Sequence, residues 1–393
     1  MASFLKLRPV GNRVPSYRPS DSVQVNWHSG YEVVFLDSGT SALSVAVNLA
    51  IKSVKPVGTP EVLIPAYGCP DLVSAIVAQG AVPVFIDLIQ NRPWMDLERI
   101  RKAISGNTVG IVAVNFLGIP ERLTQLSAIA KQCGIRLIDD SAQCFPPVST
   151  QEHHADCVVQ SFGRGKPINL MGGGALLVKD SIPKGAGCYW AGEEHSTVSG
   201  PFLWAVKRVA VNIMMSRIPY SFLARLPFLK LGETCYKPLQ KIQTLKSLEG
   251  PLNSGIRAFM ARAPRHLEYD RILVAEPNAS SFTLLPLKCK SENALLMARY
   301  SEPMLRYPIL MNSPYERDRL LELFENEGLG VNALYGRALP EVEGVASAIG
   351  ISPEPADFPN AKSFAERLLV LPTHDSVSVE QISRISRILK ARL

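Results

Sequence analysis

The sequence has no GxGxxG after its first strand-like run, no CxxC pair and no HxH or HxxxH spacing with a carboxylate. These absences argue against a nucleotide-dependent oxidoreductase, a dithiol redox centre and a histidine-ligated metal site. His153 and His154 read as surface residues, and no metal is expected. No stretch reaches the roughly 18 uncharged apolar residues of a membrane-spanning helix. Met1 to Arg18 carries Lys6, Arg8, Arg13 and Arg18 without the apolar core or cleavage site of a signal peptide, so a cytoplasmic location is expected. The seven cysteines (69, 133, 144, 157, 188, 235 and 289) are odd in number, and several sit in apolar runs, which reads as reduced thiols. Internal repeats and low-complexity tracts are also missing. The net charge of +7 comes from basic residues that are dispersed rather than blocked. That speaks against nucleic acid and is compatible with a phosphorylated small-molecule substrate.

What is present is an ordinary globular composition, 47% hydrophobic and 20% charged, over 393 residues. A chain of this length exceeds what one core organises, which predicts a large domain and a smaller one. Residues 1–30 read as an irregular arm placed to meet substrate or a partner. Residues 31–250 read as the large domain, and a break at Gly250-Pro251 introduces a small C-terminal domain over 251–393. Strand patterns at 33–36, 62–64, 82–88, 111–116, 135–139, 157–162 and 174–178 alternate with helical spacing. One such helix, Glu121 to Lys131, has Gly134 as its C-cap. The alternation predicts an α/β fold with a mostly parallel sheet. Beyond 250 we expect a long helix from Arg257, a strand pair near 283–287 and 306–311, and helices at 315–326 and 379–393.

Chemistry concentrates at strand ends. Leu137-Ile138-Asp139-Asp140 ends a hydrophobic run in two carboxylates, and Ser161-Phe162-Gly163-Arg164-Gly165-Lys166 follows the next strand. In open α/β sheets ligands bind outside the carboxyl ends of strands. A strand-end carboxylate and a loop lysine suit pyridoxal phosphate (PLP), whose ring needs an amine to hold it and an acid opposite its pyridine nitrogen. Asp37-Ser38-Gly39-Thr40-Ser41 places hydroxyls and free N–H groups at a helix N-terminus, a ready anion site. Each feature has an ordinary structural reading: a solvated lysine, a helix cap, or a tight turn at Gly172 to Gly174. Asp139 reads as structural.

The ordered set Ser38-Gly39-Thr40-Ser41-Ala42-Leu43, Pro65-Ala66-Tyr67, Pro83-Val84-Phe85-Ile86-Asp87, Asp139-Asp140-Ser141-Ala142-Gln143 and Ser161 before Lys166 resembles the DegT/DnrJ/StrS-type sugar aminotransferases, fold-type I PLP enzymes. The likeness runs from about Val33 to Asp180 and returns at Glu366 to His374, where His374 resembles a family loop residue and packing is the equal alternative. It implies that Lys166 holds the cofactor covalently, that Asp140 faces the pyridine nitrogen and that Gln143 lies beside the ring. Gly39, Thr40, Ser41 and Ser161 would bind the phosphate, and Asn253 would reach the phosphate of the neighbouring subunit in a homodimer. The implied reaction is transamination from an amino acid, glutamate in the family's usual case, to a keto group of a nucleotide-linked sugar. Two positions depart from the family pattern. Cys69 stands where an aromatic ring stacks on the cofactor, with Tyr67 as a partial substitute, and Asn115-Phe116-Leu117 stands where many members have a histidine.

Alternatives are a PLP enzyme acting on a carrier-bound or other non-sugar substrate, a dehydratase, and a silent paralogue with a binding role. The dehydratase branch replaces the lysine by histidine, and a silent paralogue would have lost Lys166 or Asp140; both residues are present. Pro201 to Leu231 fits the family pattern least. Its apolar face is broad, with Lys207, Arg208, Arg217, Arg225 and Lys230 interspersed, and it reads first as packing against the large domain or a dimer partner. The second reading is peripheral membrane contact through Trp204, Phe222 and Phe228.

Overall fold

Seven aliphatic and β-branched segments form the main sheet of the computed structural model, which describes residues 5–16, 27–180, 201–226, 234–245, 248–274, 282–350 and 357–391. They are β1 (Tyr31–Leu36), β2 (Glu61–Pro65), β3 (Val82–Ile86), β4 (Thr108–Val114), β5 (Arg136–Asp140), β6 (Cys157–Ser161) and β7 (Gly174–Lys179). Their order across the sheet is β1-β7-β6-β5-β4-β2-β3. β2 through β6 pair in parallel, while β7 runs antiparallel to both β6 and β1. Each expected strand is found, with β4 beginning earlier and β3 ending sooner than the apolar runs suggest.

The central strands are buried on both faces, which explains their near-continuous hydrophobic runs. Along β2, Leu63 points into one core cluster with Ile111, Leu137 and Val158, while Val62 and Ile64 point into another with Val112, Ile138 and Val159. The period of two along each strand produces this division. The second cluster contains α1 (Gly39–Val54), whose N-terminus is capped by Ser38 Oγ accepting from Ser41 N at 3.0 Å. After α2 (Asp71–Val77) and α3 (Leu97–Ala103), α4 (Leu123–Cys133) stops at Gly134 in the left-handed conformation, φ 67°. This is the expected C-cap.

Gly174 opens β7 where no side chain fits, since a Cβ there would lie 2.4 Å from the Ser38 carbonyl oxygen. Gly174→Ala must displace backbone at the start of α1, and is expected to cost about 1–3 kcal/mol as overpacking, read as a lowered Tm. An unchanged Tm would show that this approach is not tight.

A second, antiparallel sheet has the order β10-β9-β8, formed by β8 (Phe282–Leu284), β9 (Arg306–Met311) and β10 (Leu368–Pro372). Helices Pro314–Glu327 and Val379–Ala391 lie near their expected positions. Three expectations change. The strand near 283–287 ends at Leu284, because Pro286 at the first turn starts the helix Leu285–Lys290. The single long helix from Arg257 is two helices, Glu249–Met260 and Arg265–Leu273, parted before Pro264. Gly250-Pro251 is the first turn of the former rather than a break, and Leu252, Ile256 and Phe259 of that helix join the core of the large sheet.

Candidate active site

The carboxyl ends of β5 and β6 and the N-terminus of α1 converge on one cavity. Gly39, Thr40, Asp140, Gln143, Ser161 and Lys166 all line it, together with Cys69, Asp71, Phe116 and Tyr335. Lys166 sits in the loop between β6 and β7, where the antiparallel return of β7 holds both ends of the loop against the sheet. Asp140 is half-buried on the cavity wall and accepts from Ala142 N at 3.0 Å. Burial pushes its carboxyl up to about 6, opposed by the nearby Lys166 ammonium.

Gly39 packs so closely that a Cβ there would lie 2.6 Å from Ser161 Cβ. The first turn of α1 and the end of β6 therefore make a small-residue cradle with the Thr40 and Ser161 hydroxyls beside it. An anion cradle, an amine and a half-buried carboxylate along one cavity fit the phosphate, carbonyl carbon and pyridine nitrogen of pyridoxal phosphate.

The sequence matches the DegT/DnrJ/EryC1/StrS aminotransferase family over residues 25–185 and 279–390. The chain belongs to this family of PLP-dependent aminotransferases. It shares 28% identity with the UDP-N-acetyl-3-dehydro-alpha-D-glucosamine 3-aminotransferase of Acidithiobacillus ferrooxidans, over 36% of this chain and 38% of that relative. With the dTDP-4-amino-4,6-dideoxy-D-glucose transaminase of Shigella dysenteriae it shares 22%, over 91% of this chain and 84% of the relative. Among solved structures, Helicobacter pylori PseC, an aminotransferase involved in pseudoaminic acid biosynthesis, superposes with a TM-score of 0.63 at 17% identity, covering 98% of this chain and 99% of that one. Bacillus subtilis NtdA, solved with bound cofactor PMP, gives a TM-score of 0.64 at 16% identity, over 92% of this chain and 73% of that one. These likenesses establish the fold.

Within the DegT-family frame, the neighbouring residues divide into those on the cavity and those behind it. Asp139 is structural, as expected: Asn115 Nδ2 donates to its Oδ1 at 2.6 Å, Ser141 Oγ at 2.7 Å, and Ser149 N reaches Oδ2 at 3.3 Å. Asn115, in the stretch that departs from the family pattern, is thus committed to a buried network. Cys69 lines the cavity, and burial pushes its thiol up to about 12, so it is neutral. Tyr67 belongs to an edge-to-face cluster with Phe116, Tyr335 and Phe364 at centroid distances of 5.7, 5.6 and 5.2 Å. Ser41 is buried with its hydroxyl 2.8 Å from that of Ser38, and Asn253 is buried on the helix Glu249–Met260; neither is on the cavity lining.

Tyr335 went unrecognised in the sequence. It accepts a hydrogen bond from Gln143 Nε2 at 2.8 Å, while Gln143 Oε1 accepts from Leu117 N at 3.0 Å. Tyr335 belongs to a distant irregular segment, and the positive-φ pair Leu334 and Gly336 around it is the signal that marks a tight turn there.

The arm segment 5–16 docks beside the lysine loop. Asn12 Nδ2 donates to the Pro167 carbonyl at 3.0 Å, and Asn169 Nδ2 donates to the Asn12 carbonyl at 2.8 Å. His374 secures the other side: its Nε2 lies 2.9 Å from the Arg8 carbonyl, and burial lowers it to about 3, so it stays neutral. Of the two readings for His374, packing is the one observed. His153 is exposed, and among the described residues no cluster of His, Cys, Asp and Glu could hold a metal ion.

Proposed function

We propose that the chain transfers an amino group from an amino acid, glutamate being the expected donor, to a keto group of a nucleotide-linked sugar. The observation that carries this reading is the single cavity shared by Lys166, Asp140, Ser161 and Thr40. Its sugar specificity rests on the relatives, which are named for UDP- and dTDP-linked sugars. Bound in this cavity, PLP supplies an electron sink for the transfer. Asp140 would hold the proton on the pyridine nitrogen, and Thr40, Ser161 and the N–H groups of α1 would hold the phosphate. Lys166 would anchor the cofactor and take the proton from the donor's α-carbon. Purified protein should absorb in the visible and lose that band on adding glutamate; a colourless protein that gains no band with added PLP would sink the proposal.

We further propose a homodimer, with Asn253 serving the other subunit. The helices Pro201–Met214 and Arg217–Leu223 support a covered face: Phe202 is 83% exposed, Ile218 59% and Phe222 56%. This face is not packed against its own large domain. Trp204, at 8% exposed, is packing rather than surface, and Phe228 lies outside the described residues. Among the described residues no helix is long and apolar enough to cross a membrane. Lys207, Arg217 and Arg225 beside the apolar face favour peripheral membrane contact as the second reading. A stable dimer in sedimentation that does not float with anionic liposomes assigns the face to a second copy. Flotation at low salt that Phe202→Ala with Phe222→Ala abolishes assigns it to the membrane.

A further inference from the structure

A second cavity, of about 650 Å³, shares Tyr335 with the lysine cavity and is lined by Gly165, the residue before Lys166. Its walls are mainly apolar, with Val10 from the arm, Val211, Met214 and Leu223 from the helix pair, and Leu334. Three arginines also line it, and they differ in how they are satisfied. Arg8 donates to the Gly11 and Met215 carbonyls and pairs with Asp375 at 2.8 Å, so its charge is already compensated. Arg164 is exposed on the lysine loop.

Arg306, the first residue of β9, is 8% exposed. Its Nη1 donates to Asn332 Oδ1 at 2.9 Å, and its buried Nε has no hydrogen-bond partner. Among the described residues no carboxylate pairs with it, and burial keeps the Tyr335 and Tyr220 phenols on the same cavity neutral. Burial lowers it to about 10, which leaves it a cation at neutral pH. An uncompensated buried guanidinium is destabilising unless an anion meets it. A guanidinium edge in an apolar chamber matches the planar oxygens of a carboxylate or phosphate.

We propose that Arg306 is the oxyanion-recognition residue of the substrate chamber, receiving either the amino donor's carboxylate or a phosphate of the acceptor. This rests on the aminotransferase reading above and adds the residue by which a substrate is recognised. The test is calorimetric binding of glutarate, an unreactive dicarboxylate, and of UDP to the cofactor-loaded protein, comparing wild type with Arg306→Gln and Arg306→Lys. At least tenfold weaker binding of one ligand is expected for Arg306→Gln, and a smaller loss, still above threefold, for Arg306→Lys, which keeps the charge but not the planar edge. A loss confined to glutarate assigns the donor's carboxylate; a loss confined to UDP assigns the acceptor's phosphate. Unchanged affinity for both ligands in a variant that keeps the visible cofactor band overturns the proposal. Should Arg306→Gln not fold, Arg306→Lys alone gives the same decision. A wild type with no cofactor band would remove the underlying aminotransferase reading instead.

Discussion

Lys166→Ala is expected to fold, to bind PLP only reversibly and to lose turnover by roughly 10⁴-fold or more, since the proposed covalent anchor and the proposed proton-transferring amine are one side chain. Folding should survive because Lys166 is only partly buried, lies in a loop rather than a strand, and hydrogen-bonds there through its backbone N–H to the Gly163 carbonyl at 3.3 Å. Dialysis separates the variants: wild type should retain the cofactor and Lys166→Ala should release it. Retention by the variant, or turnover within tenfold of wild type, would show that another amine does the work.

Asp140→Asn should move activity and stability in opposite directions. Turnover is expected to fall by about 10²–10³-fold, the usual cost of removing a preorganised electrostatic partner. Stability follows from the carboxyl being raised from its ordinary 3.8 to about 6 by burial. The folded state then holds that proton more tightly than the unfolded chain does. Stability of the cofactor-free protein therefore falls as pH rises from 3.8 to about 6 and stays lower above it. That difference corresponds to roughly 3 kcal/mol, because one pKa unit is about 1.4 kcal/mol. Asparagine never ionises, so cofactor-free Asp140→Asn should melt higher than wild type at pH 7.5, by up to several °C, and about equally at pH 3.5. A variant that melts lower at pH 7.5 would show that the carboxylate is stabilising where it sits.

The parts of the site legible in the sequence are those that strand ends deliver. Asp140, Ser161 and Lys166 each follow an apolar run, and parallel pairing of β5 with β6 then brings them to the same edge without further information. Thr40 and Gly39 were readable for a similar reason, since capping chemistry marks where α1 begins. Tyr335 and Arg306 were not, because they come from the distant second sheet region and reach the cavities only through tertiary packing. Tyr67 shows the converse error: its motif suggested a ring beside the cofactor, but three aromatic neighbours claim it for the core behind the cavity. The small sheet was harder to read than the large one. Its strands are short, and Pro286 turns an apolar run into a helix start within two residues of a strand end.

The most direct test of the account is a peptide map of the wild-type protein after sodium borohydride reduction, which fixes the cofactor to whichever amine holds it. The structure predicts the label on the peptide containing Lys166 and on no other. Label on a different lysine, or none in protein reconstituted with PLP, would contradict it.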